Sequence, residues 1–96
     1  MIIVEGTSRV RDIGPAREAM LEMISASRAE QGCIEYAYSV DIIDPQLIRV
    51  TERWTDREAL IAHLASSPIA RWRASWSEIG ASERSLRLYE AEPETF

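Results

Sequence analysis

Ninety-six residues make one domain the default, with a core thin enough that self-association is a natural way to bury more surface. A net charge of -5 and a pI near 4.8 disfavour a nucleic-acid surface, where basic residues dominate, and an anionic membrane. One cysteine, Cys33, excludes an internal disulfide framework and any multi-cysteine metal site.

Ile2 to Arg9 reads as a first strand, opened by the β-favouring Ile2-Ile3-Val4. It follows Met1 without a basic leader, and no apolar run approaches the ~20 residues of a membrane helix, so a soluble cytoplasmic protein is expected. Gly14-Pro15 opens a helix whose inner face is Ala16, Ala19, Met20, Met23, Ile24 and Ser27. Gln31-Gly32 ends it. Cys33 to Asp41 alternates strictly. Ile34, Tyr36, Tyr38, Val40 and Ile42 form one row; Cys33, Glu35, Ala37, Ser39 and Asp41 form the other. Cys33 itself reads as a small buried side chain at the strand's start. The turn Asp44-Pro45 leads into a returning strand, Leu47 to Trp54, and so to an antiparallel hairpin.

Thr55 to Glu58 has the spacing of a capping box, and the helix behind it places Leu60, His63 and Leu64 on one face. Ser66-Ser67-Pro68 breaks that helix and starts another, with the stripe Ile69, Trp72, Trp76 and Ile79, closed by Gly80. Ser85 to Glu90 is the last strand, and 91–96 is an acidic tail expected to fray.

The order β-α-β-β-α-(α)-β fits a single α+β domain over 1–96. Its simplest form is a ferredoxin-like split βαβ sandwich: a four-stranded antiparallel sheet with helices on one face. The Ile34–Ile42 row is too apolar for water, and the other row sets Cys33 and Ala37 near Leu47 and Thr51. Both sheet faces are therefore expected to be partly buried, the open one in a homodimer.

The stretch from Gly32 to Ile69 also resembles the antibiotic biosynthesis monooxygenase domain of the dimeric α+β-barrel superfamily. The matching residues are Gly32, Cys33 and Tyr36, the turn Asp44-Pro45, the strand end Glu52 and Trp54, and the helix triplet Ala62-His63-Leu64. The resemblance implies a domain of this fold over nearly the whole chain. Its relatives include quinol oxygenases, haem-degrading enzymes, an isomerase of a phosphorylated sugar derivative and members without known activity.

No nucleotide, phosphate or metal motif is present, so an oxygenase here takes its electrons from the substrate and needs no cofactor. That is the chemistry implied by the quinol-oxidising branch: a phenol or quinol is deprotonated, its anion reduces O2, and the resulting peroxide collapses to a quinone. It needs a base, a dry aromatic slot and support for the anion.

His63 is the candidate base, since an imidazole ordinarily titrates near pH 6.5; a structural histidine at the helix–sheet seam reads equally well. Tyr36 and Trp54 are candidate slot walls, and Trp72, with Trp76, a candidate roof; each is also a plain core aromatic. Arg49, with Arg53, is a candidate anion support, against pairing with Glu35 or Asp41. Glu52 is read as holding a backbone group or an arginine across the dimer seam. Haem degradation is disfavoured, because Gly6 and Arg73 stand where those relatives carry an asparagine and the haem-ligating histidine. The alternatives are an isomerase or other non-redox enzyme on a small polar or phosphorylated ligand, and a non-catalytic small-ligand-binding dimeric module.

Overall fold

A computed structural model describes all 96 residues. Its elements are β1 (Ile2–Val10), α1 (Ile13–Arg28), β2 (Cys33–Val40), β3 (Leu47–Trp54), α2 (Arg57–Leu64), α3 (Ser67–Ala74), α4 (Trp76–Ile79) and β4 (Ala81–Glu90). The strands form one sheet in the order β2-β3-β1-β4, every neighbouring pair antiparallel. The four helices cover one face, giving the α+β, ferredoxin-like sandwich. No helix is long and apolar enough to cross a membrane.

The core lies between sheet and helices. Ile2 and Val4 of β1, and Ile48, Val50 and Trp54 of β3, point into it at every second residue. Ala16, Met20, Met23 and Ser27 come down from α1 at helical spacing. The Ser27 hydroxyl, fully buried, donates to the Met23 carbonyl at 2.8 Å, so its polar atom carries no desolvation penalty.

Several local expectations shift. Asp56, not Thr55, caps α2: its Oδ1 accepts from the Ala59 amide at 2.9 Å. The stripe Ile69–Ile79 is split at Ser75 into α3 and α4, and β4 begins four residues early, at Ala81. The β2 row is not a single row. A bulge at Ile34 sets Cys33 opposite Trp54, on the helix face, and leaves Ile34 unpaired and half exposed. Tyr36 and Tyr38 face the helices. Ile42 lies beyond the strand, 99% exposed, because Asp41 turns the chain there by accepting from the Ile43 and Asp44 amides.

The open face is correspondingly less apolar than expected. Half-buried Ile3, Ala37, Leu47 and Thr51 alternate with the ion pairs Arg49–Asp41 and Arg53–Glu35.

A second bulge shapes β4. Glu83 and Arg84 together oppose Ser8, and Glu83 is the only non-glycine residue with positive φ, 49°. Beside this bulge β4 crosses close over Gly6. A Cβ on Gly6 would overlap the Ser85 carbonyl oxygen and lie 2.8 Å from the Leu86 Cα, both backbone atoms that cannot swing aside. Gly6→Ala is therefore expected to destabilise the fold by at least about 1–3 kcal/mol, read as a lower urea midpoint with unchanged slope. A wild-type midpoint would mean that β4 moves away freely.

Candidate active site

His63 is placed by the last turn of α2. Helical spacing from the Asp56 cap turns Leu60 and His63 toward the sheet, and Ser66 ends the helix by donating its hydroxyl to the His63 carbonyl at 2.7 Å. Leu64, expected on the same face, is 46% exposed but borders the same cavity as Leu60 and His63. The imidazole is 1% exposed, with the Trp54 ring at 4.7 Å and the Tyr36 ring at 5.2 Å. Its Nδ1 lies 2.9 Å from a Glu30 carboxylate oxygen.

Glu30 reaches it from the turn after α1. That turn packs directly on α2: Gly32, at φ 84°, has no room for a Cβ against the Ala59 side chain. With Nδ1–H donating to Glu30, Nε2 keeps the lone pair and is the basic nitrogen.

Glu52 is the one fully buried acid. It is 3% exposed, on the helix face of β3, and accepts from the Trp54 indole N–H at 3.0 Å. Burial raises its pKa; the Trp54 hydrogen bond and the charge of Arg84 oppose the rise without cancelling it. It does not reach the open face, which corrects the seam role expected for it. Burial likewise drives the Tyr36 phenol upward, with Tyr38 and Glu52 adding to the effect, so Tyr36 stays neutral.

His63 and Glu52 border a cavity of about 210 Å³ between the helices and the β1–β4 side of the sheet. Its remaining wall is mostly apolar: Leu60, Ile69, Trp72 and Trp76 from the helices, Val4, Leu86 and Leu88 from the strands. Trp72 and Trp76 meet edge to face at 6.4 Å, and the Arg84 guanidinium lies 5.0 Å from the centre of the Trp76 ring. Arg73 also borders the cavity.

Of the residues picked from sequence, His63, Trp72 and Trp76 line this cavity. Tyr36 and Trp54 do not; they are sealed behind the imidazole. Arg49 is on the opposite face of the sheet, half exposed and paired with Asp41 at 3.2 Å, because it alternates with the buried Ile48 and Val50. The guanidiniums that border the cavity are those of Arg73, Arg84 and Arg87. Sequence reasoning also missed Glu30 and the inward position of Glu52. Glu52 had a signal: it interrupts the apolar row Ile48, Val50, Trp54. Glu30 and Arg84 had none, since a turn and a bulge bring them in.

The family model for antibiotic biosynthesis monooxygenases matches residues 15–75. No curated protein matches the chain. Among solved structures, a Deinococcus radiodurans protein provisionally assigned as an antibiotic biosynthesis monooxygenase superposes with a TM-score of 0.91 at 24% identity, covering 100% of this chain and 97% of its own. A second structure, described as an antibiotic biosynthesis monooxygenase, gives 0.85 at 25% identity over 97% and 100%. A conserved Bacteroides thetaiotaomicron protein of unknown function gives 0.82 at 27% identity over 94% and 96%. The match covers α1, the β2–β3 hairpin that carries Glu52, the α2 helix that carries His63 and the α3 helix that carries Trp72, and on it the chain belongs to the antibiotic biosynthesis monooxygenase family.

Proposed function

We propose that the protein is a cofactor-independent monooxygenase that oxidises a small phenol or quinol with O2. The observation that carries this reading is a buried histidine oriented by the partly buried Glu30 carboxylate at the wall of a small, mostly apolar, tryptophan-lined cavity. Such a cavity offers a reacting ring an apolar wall, and the Glu30–His63 pair supplies a base of fixed orientation.

The chemistry balances without a flavin, haem or metal. His63 takes the hydroxyl proton of a phenol or quinol that has an unsubstituted ring carbon ortho or para to that hydroxyl. The electron-rich anion transfers electrons to O2, and a carbon–oxygen bond forms at that carbon to give a peroxide. Loss of water breaks the O–O bond and leaves a quinone. One oxygen atom ends in the new carbonyl and the other in water. Glu52, whose proton is retained above the ordinary carboxylate range, is the group available to donate toward the departing oxygen. Trp72 lines the ring's slot.

A non-redox reaction on a small anionic ligand is the second reading, favoured by Arg73 and Arg84 at the cavity. Oxygen-electrode assays with a panel of quinols and dihydroxyanthracenes separate the two. Oxygen uptake with quinone formation supports the oxygenase; quinols bound without uptake support the other. For a substrate that turns over, His63→Ala is expected to lower the rate about 10²–10⁴-fold with the fold retained by circular dichroism. Full activity in that variant would remove His63 from the mechanism.

Glu52 gives a pH prediction. A carboxyl whose folded pKa is raised holds its proton where the unfolded chain has lost it, so the native state is penalised as pH rises from the unfolded pKa, about 4.3, through the folded one. Glu52→Gln, which keeps an acceptor for the Trp54 N–H, should be more stable than wild type at neutral pH. That advantage should vanish in acid, below about pH 4. Urea titrations at both pH values test it, and a gain that persists unchanged in acid would mean that Glu52 is not destabilised by ionisation.

The working form in this reading is a homodimer joined through the open sheet faces. Half-buried Ile3, Ala37, Leu47 and Thr51 support it, as does the small core. Sedimentation equilibrium should find a dimer at micromolar concentration, and Ala37→Arg should weaken it by introducing a buried charge. A wild-type monomer would exclude the dimer; unchanged association in the variant would put the interface elsewhere.

A further inference from the structure

Support for a phenolate needs one positive or hydrogen-bonding group, and more than one basic side chain borders the cavity. All eleven basic residues of the chain are arginines. Arg9, Arg49, Arg53, Arg57 and Arg71 are committed to ion pairs. Arg11 and Arg28 donate to the backbone carbonyls of Glu78 and Tyr36. Of the four that remain, Arg73, Arg84 and Arg87 all border the same cavity, in a chain whose net charge is -5. Arg87 stands opposite Glu5, in register with the open face, which leaves Arg73 and Arg84 as the guanidiniums of the site.

Arg84 is held there at a structural cost. It is the second residue of the β4 bulge, and the first, Glu83, occupies the left-handed region that disfavours a side chain. The bulge sets Arg84 over the Trp76 ring, where its charge is felt by both Glu52 and Tyr36. A guanidinium lying against an indole still presents N–H groups at its edge, in a fork that matches a carboxylate. Arg73 comes from the last turn of α3, one residue after the cavity-lining Trp72.

We propose that the substrate is an aromatic acid: a hydroxylated ring whose carboxylate is held by Arg84 and Arg73 while its hydroxyl reaches His63. This names the substrate class for the reading above and rests on that reading only for the oxidisable hydroxyl. The cavity is smaller than the roughly 300–1,000 Å³ that suits drug-sized ligands, so a one-ring acid is the appropriate size.

Calorimetric titration with benzoate, benzamide and phenyl phosphate tests recognition without turnover. Benzoate is expected to bind about tenfold tighter than benzamide, as a charge-assisted pair would give. Arg84→Gln and Arg73→Gln should each reduce this preference, and the double variant should abolish it. Arg84→Lys should keep part of it. Arg17→Gln, the unpaired guanidinium away from this cavity, should keep all of it. Arg73 is exposed on a helix, so its variant reports even if an Arg84 variant misfolds. Equal affinity for benzoate and benzamide, no binding of either, a preference that survives in the double variant, or tighter binding of phenyl phosphate would each overturn the proposal. Oxygen uptake with gentisate, a quinol bearing a carboxylate, is read separately. Carboxylate preference without oxygen uptake would sink the oxygenase reading and leave the anion site standing; uptake of hydroquinone without carboxylate preference would do the reverse.

Discussion

A buried imidazole that meets a carboxylate between aromatic rings organises this molecule. His63 has almost no contact with solvent, so its polar nitrogens must find partners inside the protein. Glu30 satisfies Nδ1, and that single bond ties the turn after α1 to the last turn of α2. The close approach of Gly32 to Ala59, the Asp56 cap and the Ser66 bond to the His63 carbonyl all act to hold those two segments in register. Glu52 repeats the arrangement one layer down, as a buried acid held by the indole N–H of Trp54. Glu52 lies in the seam between sheet and helices and Glu30 at its partly exposed edge, and the low polarity of that seam strengthens each interaction and penalises any group left unpaired.

The same seam explains why Tyr36 and Trp54 are part of the site without lining it. Their rings form the wall behind the imidazole, and their bulk leaves open space only on the β1–β4 side. There the sheet is edged by β4, whose bulge both closes over Gly6 and turns Arg84 toward Trp76. An apolar cavity with base and acid on one wall and guanidinium groups on another is an asymmetric container, suited to a ring with two unlike ends.

Much of the frame was legible in the residues. Period-two rows in β1 and β3, the helical stripe of α1 and the Asp44-Pro45 hairpin determine element order, and that order admits few packings. His63 was exposed to inference because it is the only histidine and sits on the buried face of a short helix. The errors have physical causes as well. Ile42 continues the β2 pattern on paper, but Asp41 captures two backbone amides and ends the strand before it. Arg49 and Arg84 are indistinguishable as residue types; the first alternates with buried Ile48 and Val50 and must face away, whereas the second follows a bulge.

The sequence by itself determined the sandwich, the buried row of Ile48, Val50 and Trp54, and the position of His63 on α2, because local periodicity settles which face of an element is apolar. Only the tertiary structure decided that Glu30 meets His63, that Arg84 rather than Arg49 faces the cavity, and that Trp72 and Trp76 wall an opening instead of filling one. The first joins residues 33 positions apart, the second depends on an extra residue in a strand, and the third on how α3 and α4 sit over the sheet. Contacts of that kind are set by how whole elements pack, which no short-range pattern encodes.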